Sequence, residues 1–104
     1  MVVLIKIFSL FRIGVFIMEK GILEKTAKIN LGSVDKVKHF VNLTTRFDDL
    51  DLDIQSGRYI IDAKSILGIF SVDLSKDLKL IIRYTENKED DVRAFLLAID
   101  SYRV

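Results

Sequence analysis

From Met18 onward, short stretches in which apolar and polar residues alternate are separated by stretches with helical spacing. The clearest alternation runs over residues 50–54, where Leu50, Leu52 and Ile54 share one side of an extended chain. This pattern is typical of strands with one buried face and one wet face. Sheets built from such strands are usually antiparallel and carry helices on one side only, so we expect an α+β fold.

The complete pattern predicts four strands and three helices in the order β-α-β-β-α-β-α. The glycine at position 57 favours a tight turn between the second and third strands, which should pair as a hairpin. The strands are expected at about 25–31, 50–54, 58–63 and 77–85, and the helices at about 34–47, 66–72 and 87–102.

The two longer helices each have a start signal and an apolar stripe. Ser33 is the expected N-cap of the first helix, with Asp35 in its first turn, and Asn87 is the expected N-cap of the last helix. The stripes that should face the core are Val34, Val37, Phe40, Val41, Thr44 and Phe47 in the first helix, and Val92, Phe95, Leu96 and Ile99 in the last.

Residues 1–17 differ from the rest because they are nearly all apolar, interrupted by Lys6, Ser9 and Arg12. The two charges make a membrane-spanning helix costly, and their position inside the apolar run does not fit a secretory signal. We expect residues 1–17 to be an extension upstream of a natural start at Met18, and residues 18–104 to form the domain. A membrane-associated helix and an additional core element are the alternatives.

Charge and residue content exclude several classes of function. The 16 basic and 15 acidic residues nearly cancel, so we expect no nucleic-acid partner. The chain has no cysteine, which excludes disulfides and thiolate metal sites and suits the cytoplasm. Its one histidine, His39, cannot form a multi-histidine metal centre. We expect neither a metal nor a cofactor.

Residues 62–71 contain a short apolar helix that begins at a serine. Ser65 is a suitable N-cap, and the following apolar residues are Ile66, Leu67, Ile69 and Phe70. A helix of two turns cannot bury all four of these side chains against one sheet. We therefore expect an exposed apolar patch, which usually marks a protein-binding surface.

Over about residues 26–104, this order of elements and the stretch at 62–71 resemble the HPr family, the small phosphocarriers of the bacterial phosphotransferase system for sugar transport. The resemblance implies an open-faced β-sandwich with a four-stranded antiparallel sheet and three helices on one face. The first and last helices are also similar to those of the family. The matching residues in the short stretch are Ala63, Lys64, Ser65, Ile66, Gly68 and Ser71.

The chain departs from the family where a histidine takes phosphate from Enzyme I at the start of the first helix. Ser33 stands at that histidine, Val34 at the family's alanine, Asp35 at its arginine and Lys36 at its proline. A serine hydroxyl needs an activating base, and Asp35 places a negative charge where a phosphoryl group would arrive. We therefore expect no catalytic residue and no phosphocarrier cycle. An active carrier using Ser33 or His39 is the alternative, although we expect His39 to be a partly buried helix residue.

The resemblance also implies a regulatory role for Ser65, which a dedicated kinase phosphorylates in many Gram-positive relatives. The helix N-terminus and the adjacent Lys64 would favour a phosphate there, whereas Asp35 would repel it.

In the family, the residues matching Ile66, Leu67 and Phe70 form a docking surface, and the residue matching Ile69 points inward. We therefore expect a regulatory protein-binding module that contacts its partner through these three residues and Lys64. The partner would be a phosphotransferase-system component, a serine kinase or a transcriptional regulator. A membrane-associated module, anchored by residues 1–17, is the other alternative.

Overall fold

The computed structural model describes residues 15–17 and 21–104, and within them one antiparallel sheet of five strands. Along the chain the strands are β1 (Val15–Ile17), β2 (Ile22–Ile29), β3 (Asp51–Ser56), β4 (Tyr59–Asp62) and β5 (Leu78–Thr85). Across the sheet their order is β1-β2-β5-β3-β4. The longest strand pairing joins β2 and β5, which are far apart in sequence.

Residues 21–104 also form three helices: α1 (Val34–Thr44), α2 (Ile66–Phe70) and α3 (Glu89–Ala98). Two 3₁₀ turns, Glu86–Lys88 and Asp100–Tyr102, flank α3. All three helices bury apolar side chains against the same side of the sheet. The predicted α+β architecture, with β2 to β5 as its four strands and three helices on one face, is confirmed.

The additional strand β1 pairs with β2 through Val15 to Ile17, on the N-terminal side of the domain boundary expected at Met18. The sequence interpretation did not include this strand. Residues 1–14, which make up most of the predicted extension, lie outside the described residues. The domain boundary at Met18 therefore stays a prediction.

The strand register explains which residues build the core. Leu80 on β5 lies opposite Ala27 on β2 and Ile54 on β3, so apolar residues meet in one row across three strands. The predicted inward positions of β3 and β5 are confirmed, since Leu52, Ile54, Leu78, Leu80, Ile82 and Tyr84 are all buried. Each fully buried aliphatic or aromatic side chain contributes about 1.5–3 kcal/mol relative to exposure.

The turn between β3 and β4 follows the expected chemistry. Gly57 has φ +59°, a left-handed conformation that glycine adopts without a steric penalty. Ser56 and Tyr59 then face each other as the first residue pair of the hairpin. The hairpin expected from residues 50–63 is confirmed.

The first helix begins at Val34 as predicted, but the exposure of that residue and the end of the helix differ from the prediction. Val34 is 54% exposed, because the first residue of α1 lies beyond the area that the helix packs onto the sheet. The helix ends at Thr44 rather than at residue 47, and the buried Thr44 hydroxyl donates to the carbonyl of Val41. Phe47 follows the helix in a turn and packs its ring against Phe95, with ring centroids 5.2 Å apart. Phe47 therefore packs against the core although it is not part of the helix.

The expected cap of the last helix is also wrong. Asn87 lies inside the 3₁₀ turn that precedes α3, where its side-chain oxygen accepts a hydrogen bond from the Thr85 hydroxyl. Lys88 occupies the cap position of α3 and makes no side-chain cap bond. Val92, Phe95 and Ile99 are buried as predicted, and Leu96 is half-buried.

No helix in the described part of the chain is long and apolar enough to cross a bilayer.

Candidate functional site

The residues that the sequence singles out lie at the N-termini of α1 and α2, two helices that contact each other. The hydroxyl of the buried Thr44, at the C-terminal end of α1, joins that end of the helix to the start of α2, because it also approaches the carbonyl oxygen of Ala63 at 3.4 Å. Ala63 itself is buried and donates its N–H to Leu52 of β3 at 2.9 Å. The end of α1, the start of α2 and the sheet are thus connected by hydrogen bonds as well as by apolar packing.

Ser33 caps α1 as the sequence predicts. Its backbone is extended, and its Oγ accepts a hydrogen bond from the backbone N–H of Lys36 at 3.2 Å. The loop before it is held by Asn30, whose side-chain oxygen accepts from the N–H of Gly32 at 3.1 Å. The buried Leu31 anchors the same loop in the core. These contacts place the Ser33 hydroxyl at an exposed helix start.

The chemistry available at Ser33 is that of an ordinary hydroxyl. Among the described residues, its only hydrogen-bond partner is the N–H of Lys36, and no carboxylate or imidazole accepts its proton. A serine becomes nucleophilic only when a base takes that proton. Val34 and Asp35, which follow it, are exposed beside it. The correspondence of Ser33 with the histidine of the HPr family stays a prediction.

His39 is exposed rather than partly buried, which corrects the prediction. It lies in the second turn of α1, between Lys38, which is also exposed, and Phe40, which is fully buried. Phe40 takes the core position in this turn, with its ring 5.9 Å from that of Tyr102. The imidazole therefore projects from the solvent side of the helix.

Ser65 caps α2, again as predicted. Its Oγ accepts from the N–H of Gly68 at 3.1 Å, but unlike Ser33 it is half-buried. A Cβ atom on Gly68 would lie 3.1 Å from that oxygen and 3.6 Å from the Cβ of Ile61 on β4. The contact with Ile61 would be an ordinary one, so the absence of a side chain at Gly68 matters at the cap, where a Cβ would crowd the Ser65 oxygen.

Lys64 has a role that was not expected from the sequence. Its ammonium group donates to the carbonyl oxygen of Leu50 at 3.0 Å, and its backbone N–H donates to the carboxylate of Asp62 at 2.9 Å. The side chain thus joins the start of α2 to the residue that precedes β3. Contact of Lys64 with a partner or with a phosphate on Ser65 stays a prediction, and it would require this ammonium to serve two acceptors.

The apolar residues of α2 divide between the core and the surface. Ile69 is fully buried, and Ile66 is half-buried and packs against the core. Leu67 is 80% exposed and Phe70 is 39% exposed. These two residues are three positions apart and so lie on the same side of the helix. We call Leu67 and Phe70, with Ile66 at their edge, the α2 patch.

Among the described residues, four groups have clearly shifted pKa values. Hydrogen bonds from the hydroxyl and N–H of Ser75 lower the pKa of Asp73 in the loop after α2. The hydrogen bond between Lys88 and Asp49, at 2.9 Å, lowers the pKa of Asp49 and raises that of Lys88.

The remaining group is Tyr84, whose hydroxyl is buried without a hydrogen-bond partner among the described residues. Burial raises its pKa, and the nearby Glu89 carboxylate raises it further. Within residues 21–104, no three histidine, cysteine or acidic side chains are grouped as metal ligands.

Comparisons with known proteins agree with the fold. No protein-family model matches the sequence, and no curated protein matches it at a significant level. Among solved structures, the chain is similar to the phosphocarrier protein HPr from Bacillus anthracis str. Ames, with a TM-score of 0.55 and 22% identity. The match covers 76% of this chain and 98% of that protein. The similarity establishes an HPr-like fold.

Proposed function

We propose that this protein is an HPr-like binding module that docks a protein partner through the α2 patch and does not carry phosphohistidine. The observation that carries the proposal is the exposure of Leu67 and Phe70 on a helix that Ile69 anchors in the core. A short helix fixed in this way presents its apolar side chains in one orientation. The HPr-like fold supports a relation to the phosphotransferase system, and we propose a cytoplasmic location on the same basis.

The chemistry of the α1 start supports the loss of phosphocarrier activity. Ser33 offers a hydroxyl without a base among the described residues, and a serine phosphate ester is far more stable than a phosphohistidine. The exposed carboxylate of Asp35, two positions further along, would repel an incoming phosphoryl group. A protein with these substitutions would keep the docking part of the fold without the transfer part.

The α2 patch is small, so a protein partner would bury only a few of its apolar side chains at the centre of the interface. Full burial of a leucine or phenylalanine side chain contributes about 1.5–3 kcal/mol each, so these two residues would dominate the affinity. The candidate partners are a phosphotransferase-system component, a serine kinase and a transcriptional regulator.

Phosphotransfer is tested by incubating the pure protein with phosphoenolpyruvate and Enzyme I, with a histidine-containing HPr as the positive control. We expect an acid-labile phosphoryl adduct on the control and none on this protein. An adduct on this protein that forms at the rate of the control would refute the proposal.

The second candidate function is a phosphocarrier that uses His39, and the solvent exposure of its imidazole favours it. The same assay decides this alternative when it includes His39→Ala and Ser33→Ala. An adduct that His39→Ala abolishes and Ser33→Ala keeps would establish His39 as the carrier. The reverse result would establish Ser33.

The docking surface is tested with purified Enzyme I, a serine kinase and an HPr-binding regulator, each titrated separately. Leu67→Ala and Phe70→Ala should weaken binding to at least one of them about tenfold or more. Leu97→Ala is the matched control, because Leu97 is as exposed as Leu67 but lies on α3. Equal weakening by all three substitutions, or binding to none of the three proteins, would contradict this assignment.

Regulation by phosphorylation of Ser65 is part of the proposal. The helix N-terminus supports it, whereas the half-buried hydroxyl and the bond from Lys64 to Leu50 mean that α2 must adjust to a phosphate. Incubation with a serine kinase and labelled ATP should label the protein and Ser71→Ala but not Ser65→Ala. Label that persists in Ser65→Ala would exclude this site.

Membrane association through residues 1–17 is the remaining alternative. Most of that segment lies outside the described residues, so fractionation of the native protein decides it. Recovery of the full-length chain with the membrane fraction would favour an anchored module over the proposed cytoplasmic one.

A further inference from the structure

The open face of the sheet, on the side away from the helices, has two ends of different charge. At one end Arg83 is neutralised, since its guanidinium lies 2.9 Å from the carboxylate of Asp53 and 3.8 Å from that of Glu24. At the other end Lys28 and Lys79 are directly opposed on β2 and β5. Like charges in this position destabilise a sheet. Among residues 21–104, no carboxylate lies within 4.0 Å of either ammonium group.

An open groove of about 430 Å³ lies at this basic end. Lys28, Lys79, Thr26 and Gln55 line it, and Gln55 is the register partner of Lys79 on β3. The Gln55 amide donates to the Gly57 carbonyl at 3.2 Å, which holds the side chain in place and leaves its carbonyl oxygen as an acceptor. The wall also includes Asp77, which accepts a hydrogen bond from the Asn30 amide at 3.1 Å.

We propose that this groove binds a small phosphomonoester, with the Lys28 and Lys79 ammonium groups on the phosphate and Thr26 and Gln55 beside the organic part. Two ammonium groups and one carboxylate leave the groove with a net positive charge. A doubly charged phosphate between the lysines would remove their mutual repulsion, and charge-assisted hydrogen bonds are the stronger kind. The neutral hydroxyl and amide suit a polar substituent such as a polyol.

The charge distribution favours a small anion over a nucleic acid. Only one set of paired residues across the strands, that of Lys28 and Lys79, is basic. The next set along the sheet contains Asp53, and the one after it contains Glu24 and Asp51. A nucleic-acid backbone that continued along the sheet would meet these carboxylates. The near-balance of charge over the whole chain agrees with this.

The test is a titration of the isotope-labelled protein with glycerol 3-phosphate, followed by amide chemical shifts. Glycerol is the neutral control, and sodium chloride matches the ionic strength. We expect saturable shifts confined to residues around the groove. Lys79→Met should weaken binding about tenfold or more, because it removes a charge-assisted contact. Lys38→Met should change the affinity less than twofold, since this exposed lysine lies on α1 on the other side of the sheet.

Shifts scattered over the surface, equal loss in both lysine variants, or an equal response to chloride would overturn the proposal. Tighter binding of a single-stranded oligonucleotide at the same lysines would replace it with a polyanion site.

A second measurement, the thermal unfolding of the free protein, tests the repulsion between the two lysines without a ligand. Lys28→Glu should raise the melting temperature of the free protein, because it converts the opposed lysines into an ion pair, while abolishing the response to glycerol 3-phosphate. A melting temperature that is unchanged or lower would remove the premise of uncompensated repulsion. Neither experiment depends on the α2 patch, which is on the helix side of the sheet.

Discussion

The starts of α1 and α2 use the same cap in different surroundings. Ser33 and Ser65 both have an extended backbone, and each accepts a hydrogen bond from the N–H three residues later, at 3.2 Å and 3.1 Å. Ser33 is exposed, whereas Ser65 is half-buried beneath the close approach of Gly68. A local capping signal therefore selects the hydrogen bond, while the packing around the cap decides how much stability depends on that bond.

The largest expected difference between the two starts lies in the apolar residues behind the caps. Ile69→Ala should lower the free energy of unfolding by about 2–5 kcal/mol, because the fully buried side chain would leave a cavity between α2 and the sheet. Val34→Ala should change it by less than about 0.5 kcal/mol, since Val34 is mostly in solvent. Urea denaturation measures both. Similar losses in the two variants would mean that the starts are equally packed.

In α2, Gly68 lies close to the Ser65 hydroxyl and next to Ile61. Gly68→Val should lower the free energy of unfolding by about 1–3 kcal/mol, because its side chain would crowd both. Leu67→Val is the control for a β-branched residue in the same helix and should cost less than about 0.5 kcal/mol. Thermal unfolding of both variants checks this. A Gly68→Val protein as stable as wild type would show that α2 can move away from the sheet edge without loss.

Removal of each cap should have a moderate effect. Ser33→Ala and Ser65→Ala should each lower stability by about 1 kcal/mol, with the greater loss at Ser65. Water can replace the hydroxyl at the exposed Ser33, whereas the half-buried Gly68 N–H would lose a partner that solvent replaces less readily. Chemical denaturation of the two variants under one set of conditions gives the order. A greater loss of stability in Ser33→Ala than in Ser65→Ala would contradict the expected order.

The smallest effect is expected in the loop that leaves α2. Ser75 lowers the pKa of Asp73, so ionised Asp73 stabilises the fold at neutral pH. This contribution is complete above the unfolded pKa of about 4 and is lost as the pH falls through the lower folded pKa. Asp73→Asn should therefore lower the melting temperature slightly at pH 7 and by less at pH 3.

Asp48→Asn is the control for Asp73→Asn, because it removes the same charge from another exposed aspartate. It should show no comparable change between the two pH values. A difference for Asp73→Asn that grows on acidification would contradict the sign of this linkage.

The sequence predicted well those features that depend on neighbours along the chain. The alternation at Leu50, Leu52 and Ile54 placed these residues in the core, because side chains of a strand alternate between its faces. Ser33 and Ser65 were identified as caps because a cap bond closes within three residues. Exposure of part of the apolar set on α2 was expected because a helix of two turns cannot turn every side chain inward, and the resemblance implied that Leu67 belongs to the exposed part.

The errors occur at the ends and at the solvent-facing side of the helices. Val34 has the spacing of the α1 stripe but lies past the edge of the packed area, and His39 projects into solvent because Phe40 occupies the core position. Asn87 has the residue type of a cap, yet a 3₁₀ turn precedes α3 there. Residue type and period contain no information on where a packing interface stops.

By itself, the sequence determined the order and type of the elements from β2 to α3, the inward faces of β2, β3 and β5 and the two serine caps, since these follow from backbone geometry over a few residues. Only the tertiary structure decided that Lys64 bonds to Leu50, that Gly68 lies next to Ile61 and that Lys28 faces Lys79. Each of these contacts joins residues on different elements. Their distances depend on strand register and helix placement, which the core settles as a whole.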